Sequence, residues 1–484
     1  MKFNFQPISN VLGILLVLYG VCMLMTGVIS LLYEASDAGA FFTSGGITII
    51  TGIILKLYKF SNEPDVNKKE GYLIVALGWL LMCFFGALPF YLSGFCPSFT
   101  DAVFETASGL TTTGASIFND VEILPHGVLF WRSMTHFIGG LGIIVLTVAL
   151  LPILGIGGIE LFSAEASGPT ADRLQPRIKE TAKRLWYIYL FLTLLCTLFL
   201  LIAGMNLFDA ICHAFSTLST GGFSTKNASI AFYQSPGIEY IITLFMFLGG
   251  ANFSVLYYFF KGNFYRVWYN DEFRYYLYFT IIVTLVLTVF IQLAKPGDLE
   301  ESFRHALFQL ITVITTTGFM SYDFTFWHPT ITLLFFLLLF VGGCAGSTAG
   351  GIKFIRHTVF VKNTFLEFRR ILHPRALIRL KINDAIVPPR ILTHILVFLL
   401  VYLMVFVIGT VGLSFTGLDF ETALGASASC LGNVGPAIGK LHPTANFSIV
   451  SNEGKWICSF LMVLGRLELF TILILFSRSF WRVN

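Results

Sequence analysis

Charge is what this sequence lacks. Its 31 Lys and Arg and 27 Asp and Glu make only 12% of 484 residues, about half the ~25% usual in a soluble domain. A chain that is 56% hydrophobic and carries 51 Phe cannot build a polar exterior from so little. The shortage excludes a cytosolic enzyme, a disordered chain and a secreted disulfide scaffold. The net charge of +4 is not gathered into a basic patch, which argues against nucleic acid as a partner. The eight cysteines show no C-x-x-C spacing, and most lie in apolar segments, where Cys is a small hydrophobe. No H-E-x-x-H or G-x-S-x-G motif suggests a membrane hydrolase. Only His136 and His394 fall inside apolar runs, near opposite ends, so they cannot share a haem iron. What remains is a polytopic membrane protein.

What the sequence does have is long apolar runs. Stretches near 20 residues cross a ~30 Å hydrocarbon core, and ten are expected: 11–32, 41–58, 71–93, 127–152, 185–205, 238–260, 276–294, 329–343, 391–414 and 456–478. The eighth is short and runs into a glycine-rich stretch, 341–351. With the N-terminus inside, the segments 1–10, 56–70, 154–184, 261–275 and 353–390 and the C-terminus hold 24 of the 31 Lys and Arg. The opposite side keeps few, among them Lys226, Lys295, Arg304, Lys440 and Lys455. This bias places both termini in the cytoplasm.

On the outer side, segments too short to cross repeat without gaps. They are Asp101–Gly114 (DAVFETASGLTTTG), Asp209–Gly222 (DAICHAFSTLSTGG), His305–Gly318 (HALFQLITVITTTG) and Thr422–Gly435 (TALGASASCLGNVG). The runs that follow contain Gly139-Gly140, Gly249-Gly250, Gly342-Gly343 and Gly465-Arg466. The unit is therefore span, short re-entrant helix, Gly-ended loop, span. Four units and an N-terminal pair make an all-α integral membrane protein: 1–70, then units at 71–153, 154–260, 261–390 and 391–484. All repeats point the same way, unlike the inverted repeats of many solute carriers.

A helix of about ten residues is ~15 Å long and ends in mid-membrane. Its C-terminal end carries a partial negative charge of ~0.5 e. Four such ends with Gly-bent loops can pool their main-chain carbonyls around one axis, the arrangement that replaces the water shell of a cation. The candidate ligands are Thr111, Thr112, Thr113 and Gly114; Ser219, Thr220, Gly221 and Gly222; Thr315, Thr316, Thr317 and Gly318; Gly432, Asn433, Val434 and Gly435. The fourth loop departs from the Thr/Ser run of the others, which predicts an asymmetric filter.

These motifs, with Phe130–Ser133, Gly139–Gly142, Gly346–Gly351 and Gly465–Thr471, resemble the Trk/Ktr/HKT superfamily of potassium transporters. The N-terminal pair is that of TrkH-type subunits, and the resemblance covers essentially the whole chain. It implies potassium uptake across the bacterial cytoplasmic (inner) membrane through four M1–P–M2 units, with no catalysis and no organic cofactor. By the same resemblance selectivity rests on Gly114, Gly222, Gly318 and Gly435, and four glycines favour K⁺. A sodium-permeable or cation-coupled symporter of the superfamily is the alternative, and a membrane redox enzyme a remote one. The resemblance makes Gly343, Gly346, Ser347, Thr348, Gly350 and Gly351 an intramembrane gating loop. It implies a homodimer and a cytoplasmic TrkA-type nucleotide-binding subunit, for which the basic 353–390 segment is the candidate dock.

Arg466 is a charge in an apolar run, where burial costs at least ~2.5–3.5 kcal/mol. It is expected to face the pore axis or the glycine-rich loop, or to pair with Glu468, and to slow cation flow.

Overall fold

The computed structural model describes residues 5–58, 68–96, 98–145, 174–294 and 296–482. The end of the expected 127–152 span, the unit boundary at 153–154 and the first part of the basic 154–184 segment lie outside the described residues.

Along the chain, α1 (Phe5–Leu32) and α2 (Ala38–Leu57) form a hairpin. Next come α3 (Lys68–Leu92), the short α4 (Phe99–Leu110) and α5 (His126–Val145). Then follow α6 (Leu174–Ile202), the short α7 (Leu207–Leu218), α8 (Pro236–Gly250), α9 (Phe253–Phe260) and α10 (Phe264–Tyr269). The third stretch holds α11 (Asp271–Ala294), the short α12 (Leu299–Ile314), α13 (Pro329–Leu338) and α14 (Phe354–Leu372). After a small hairpin of β1 (Lys381–Ile382) on β2 (Ala385–Ile386) come α15 (Pro389–Phe415), the short α16 (Phe420–Gly432), α17 (Asn452–Arg466), α18 (Phe470–Leu473) and α19 (Arg478–Trp481).

Among the described residues, α1, α2, α3, α6, α11 and α15 are long and apolar enough to cross a membrane. Their exposed sides carry rows of Leu, Ile, Val and Phe, as in Leu396, Leu400, Leu403 and Val407 of α15. The hairpin packs through small residues: a Cβ on Gly52 would lie 2.7 Å from the Gly13 carbonyl oxygen, the kind of close approach that holds helices in lipid. Asp37, in the hairpin turn, accepts the Val128 N–H at 2.7 Å and fixes the pair to α5.

Three expected spans are not single helices. The 238–260 run breaks between α8 and α9 with a bend of 111°, and the 456–478 run breaks after Arg466 with a bend of 107°. The 329–343 run is helical only over the ten residues of α13. In the first case Ala251 turns extended and the Asn252 side chain caps α9 by accepting the Ser254 N–H. In the second, Glu468 and Leu469 take positive φ values of 56° and 52°, which no helix continues through.

The short helices α4, α7, α12 and α16 contain 12, 12, 16 and 13 residues. At 1.5 Å per residue, ~18–24 Å, they cannot cross a ~30 Å core. Ser98, Asn206, Asp298 and Asp419 cap their N-termini through side-chain oxygens. Beyond the first turn they are buried on nearly every side; all of Asp101 to Leu110 is buried in α4. The long helices surround them.

Candidate functional site

The four short helices end alike. The N–H groups of Thr113, Gly221, Thr317 and Val434 bond back to the carbonyls of Ser108, Ser216, Thr312 and Ser429 at 2.8–3.0 Å. One residue earlier, the N–H groups of Thr112, Thr220, Thr316 and Asn433 bond to Gly109, Thr217, Val313 and Cys430 at 2.9–3.4 Å. These paired 6→1 and 5→2 bonds form a Schellman ending. Its left-handed position holds Thr112 (φ 52°), Thr220 (56°), Thr316 (56°) and Asn433 (56°). Asn tolerates this conformation, whereas a β-branched Thr is strained there by about 1–2 kcal/mol. The fourth loop therefore differs from the others in sequence but not in backbone course.

Two residues later Gly114, Gly222, Gly318 and Gly435 are again left-handed, with φ of 80°, 84°, 81° and 94°. Alternation of hand lets successive carbonyls share one side of the chain, where a β-strand would send them to opposite sides. The loops also close on one another. A Cβ on Gly114 would strike the Gly221 oxygen, one on Gly222 the Thr317 oxygen, one on Gly318 the Val434 oxygen and one on Gly435 the Thr113 oxygen. First touches second, second third, third fourth, and fourth first. A cavity of about 170 Å³ opens above the ring, floored by the four glycines. Its described lining includes Arg132 and Lys226 but no Asp or Glu, so what this ring can offer a cation is carbonyl oxygens and helix C-termini.

The Thr and Ser hydroxyls mostly tie the loops down. Thr111, Ser219 and Thr315 donate to the carbonyls of Ala107, Phe215 and Ile311 at 2.6–2.7 Å. Thr111 and Thr315 also meet Thr113 and Thr317 at 2.7 and 2.8 Å. In the fourth loop the Asn433 amide donates to Thr113 Oγ1 at 3.1 Å and to the Met462 carbonyl at 2.8 Å.

The chain leaving the first three ring positions is braced by side chains at one shared place of the short helices. Nine residues before the loop glycine stand Glu105, His213, Gln309 and Ala426. Glu105 accepts from Ile117 N–H and Ser116 Oγ, both at 3.0 Å, and pairs with Arg132 at 2.8 Å. His213 meets Ser224 Oγ at 2.9 Å, and Gln309 donates to the Tyr322 carbonyl at 2.6 Å. The signal was a polar side chain at one shared position of apolar helices. A second ring joins the outer limbs: Asn227 to Val121, Met320 to Ala231, His442 to Asp323, and Ser116 to Phe447. At this rim a hydrogen bond from Thr422 and the nearby Lys440 hold the Asp419 carboxyl below its usual range.

Beneath the ring runs the glycine-rich segment. Gly350 N–H donates to Thr316 Oγ1 at 2.7 Å, below the third loop. Thr348 Oγ1 bonds the Leu218 and Gly249 carbonyls at 2.9 and 3.0 Å, below the second. A Cβ on Gly350 would lie 2.7 Å from the Gly432 oxygen, below the fourth. Gly343 and its neighbour are held likewise: Cys344 N–H donates to the Gly250 carbonyl at 2.8 Å, and the Gly343 carbonyl accepts from Phe354 N–H at 2.9 Å. Gly346 accepts from Phe253 N–H at 3.2 Å and Ser347 Oγ donates to the Cys344 carbonyl at 2.6 Å. Gly351 takes a positive φ of 65° at the end of the segment. A single oxygen, Glu272 Oε1, accepts both Ala345 N–H and Ile355 N–H at 2.7 and 3.0 Å. Arg466 reaches the segment too, while Glu468 pairs with Arg356.

The TrkH family, described as cation transport proteins, matches residues 38–482. The chain is 39% identical to a Trk system potassium uptake protein TrkH of Halomonas elongata, over 99% of this chain and all of that one. It is 35% identical to a Trk system potassium uptake protein TrkG of Escherichia coli strain K12, covering 99% of each chain. Its fold matches the crystal structure of the potassium transporter TrkH from Vibrio parahaemolyticus with a TM-score of 0.92 and 36% identity, over 99% of this chain and all of that one. These relatives are named for transport, not catalysis.

Proposed function

The chain belongs to the TrkH family of cation transport proteins, and from that premise we propose that it takes up K⁺ across the bacterial inner membrane through one path on the axis of the four loops. The observation that carries this reading is the closed ring in which each loop glycine abuts a carbonyl of the next loop. Carbonyl oxygens from 111–114, 219–222, 315–318 and 432–435 replace the hydration shell of a K⁺ ion. Left-handed glycines at 114, 222, 318 and 435 let the four chains approach.

In this reading ten spans make the N-terminal pair (1–70) and four M1–P–M2 units (71–153, 154–260, 261–390 and 391–484), with both termini cytoplasmic. The second span of units two, three and four is broken near the level of the loops. The segment containing Gly343, Gly346, Ser347, Thr348, Gly350 and Gly351 closes the path below the filter, and Arg466 holds it closed. A TrkA-type nucleotide-binding subunit opens it from the cytoplasmic face, and two copies of this chain form the working dimer.

The test is growth of a K⁺-uptake-deficient bacterial strain on low K⁺, with Rb⁺ and Na⁺ uptake measured in the same cells. Rb⁺ uptake that saturates and exceeds Na⁺ uptake is expected. No K⁺ or Rb⁺ uptake, with or without a TrkA-type partner, overturns the reading.

A further inference from the structure

We propose that His136 is a positioning residue for the second filter loop and sets part of its discrimination between K⁺ and smaller cations. This rests on the reading of the four loops as the filter. The residue before the loop glycine is Thr113, Gly221, Thr317 and Val434 in the four loops. Only the second has no side chain there. Thr113 and Thr317 fill the space behind their loops and bond Thr111 and Thr315 at 2.7 and 2.8 Å. Val434 is fully buried and fills its own space with carbon.

Behind Gly221 the space belongs to another unit. A Cβ on Gly221 would collide with Nδ1 and Cγ of His136 and lie 2.6 Å from its Cε1. The imidazole is fully buried, stacks on Phe223 with centroids 4.2 Å apart and an interplanar angle of 18°, and meets Ser216 Oγ at 3.2 Å through Nδ1. The ring is thus fixed on both sides of the loop it supports: by Phe223, which follows the filter glycine, and by Ser216, in the helix before it.

The exchange is legible across the repeats. His136 stands three residues before Gly139; Met246, Leu339 and Met462 stand at the same place before Gly249, Gly342 and Gly465. Each of these helices precedes the next loop in the ring. Carried along the repeat register, the His136–Gly221 contact corresponds to Met246 with Thr317, Leu339 with Val434, and Met462 with Thr113. Three of these positions match a side chain in the loop with a flexible apolar residue in the run that follows the preceding loop. One combines a rigid ring in the helix with nothing in the loop. Gly221 and Gly222 are consecutive, so without the ring this limb has more conformational freedom than any other. A loop that yields fits smaller cations as well as K⁺, and discrimination is the difference between the two affinities.

The test compares the wild type with His136→Met, Gly221→Thr and the double variant, which installs the Met–Thr pair used by the next unit. Rb⁺ and Na⁺ uptake and the KM for Rb⁺ are measured in cells, with detergent-solubilised thermal stability as the folding check. His136→Met is expected to lower the Rb⁺/Na⁺ uptake ratio by roughly threefold to tenfold, with a raised KM for Rb⁺ and an unchanged melting profile. Gly221→Thr alone is expected to abolish uptake through its clash with the ring. The double variant is expected to exceed Gly221→Thr in uptake and His136→Met in discrimination, a coupling that independent sites do not show. A wild-type ratio and KM in His136→Met, or a double variant no better than Gly221→Thr, overturns the proposal. Gly318→Ser, in a loop that His136 does not touch, separates the two readings. If it leaves discrimination unchanged, the filter reading fails and this inference with it; if it lowers discrimination while His136→Met does not, only the role of His136 fails.

Discussion

The guanidinium of Arg466 donates to the Thr348 carbonyl at 2.7 Å and to the Gly139 carbonyl at 3.3 Å. One side chain at the end of α17 thereby joins the glycine-rich segment to α5. Among the described residues Arg466 has no carboxylate partner: Glu468, two residues on, is bound to Arg356 at 2.5 Å. In the proposed path, a buried cation held by carbonyls repels other cations nearby and ties the segment in place. Arg466→Ala removes both effects. Rb⁺ uptake is expected to rise at equal expression, and reduced uptake at normal expression would falsify the assignment.

Glu272 latches the same segment from the other side. Its Oε1 accepts from Ala345, within the glycine-rich run, and from Ile355, just beyond it. Glu272→Ala leaves the buried Ile355 N–H and the half-buried Ala345 N–H without that acceptor, at about 1–3 kcal/mol for the buried one. Glu272→Gln keeps a carbonyl oxygen and can keep both bonds. The Ala variant is expected to melt at a lower temperature and, under the proposed gating, to take up Rb⁺ without the TrkA-type subunit, with the Gln variant between it and the wild type. Equal melting temperatures for Ala and wild type would remove Glu272 from this role.

The repeats, the glycine register and the glycine-rich break in the third unit were legible in the sequence because each depends on a residue type that local backbone geometry demands. Gly114, Gly222, Gly318 and Gly435 mark one left-handed position, and no other residue enters it cheaply. The breaks after Gly250 and Arg466 were not legible. The first needs the Asn252 cap, and the second a positive φ at Glu468 and Leu469, residues that carry no such mark. The braces escaped for a different reason. Glu105, His213 and Gln309 do the same work with different chemistry, so the common feature is a position and not a residue. The fourth loop shows the converse: Asn433 looked like a departure, yet it occupies the same left-handed site as Thr112, Thr220 and Thr316.

Glu105 and Arg132 form a buried ion pair behind the first and second loops. The Arg132 guanidinium also donates to the Ser224 carbonyl at 3.0 Å and lies 4.1 Å from the centroid of the Phe223 ring. Removing one partner leaves the other charge buried, which costs about 3–5 kcal/mol. Replacing both with apolar residues of similar size does not carry that penalty. Glu105→Leu and Arg132→Met are each expected to lower thermal stability sharply, and the double variant to recover much of the loss. A double variant that loses the sum of the two single effects would show that the pair is not acting as a unit.

Asn433 separates backbone conformation from side-chain bonding in the fourth loop. Its φ of 56° suits Asn or Gly, so Asn433→Gly keeps the loop course and deletes only the amide. What is lost are the bonds to Thr113 Oγ1 in the first loop and to the Met462 carbonyl in α17, at about 0.5–1.5 kcal/mol each. Asn433→Thr loses the same bonds and adds the strain of a β-branched residue at that φ, about 1–2 kcal/mol. The order of thermal stability is therefore wild type above Gly above Thr, although Thr is the residue that three of the four loops carry there. A Thr variant as stable as the wild type would mean that the fourth loop needs no tie to the first. In that case the closure of the ring rests on the Gly435 contact with the Thr113 carbonyl and on the rim bond from Phe447 N–H to the Ser116 carbonyl.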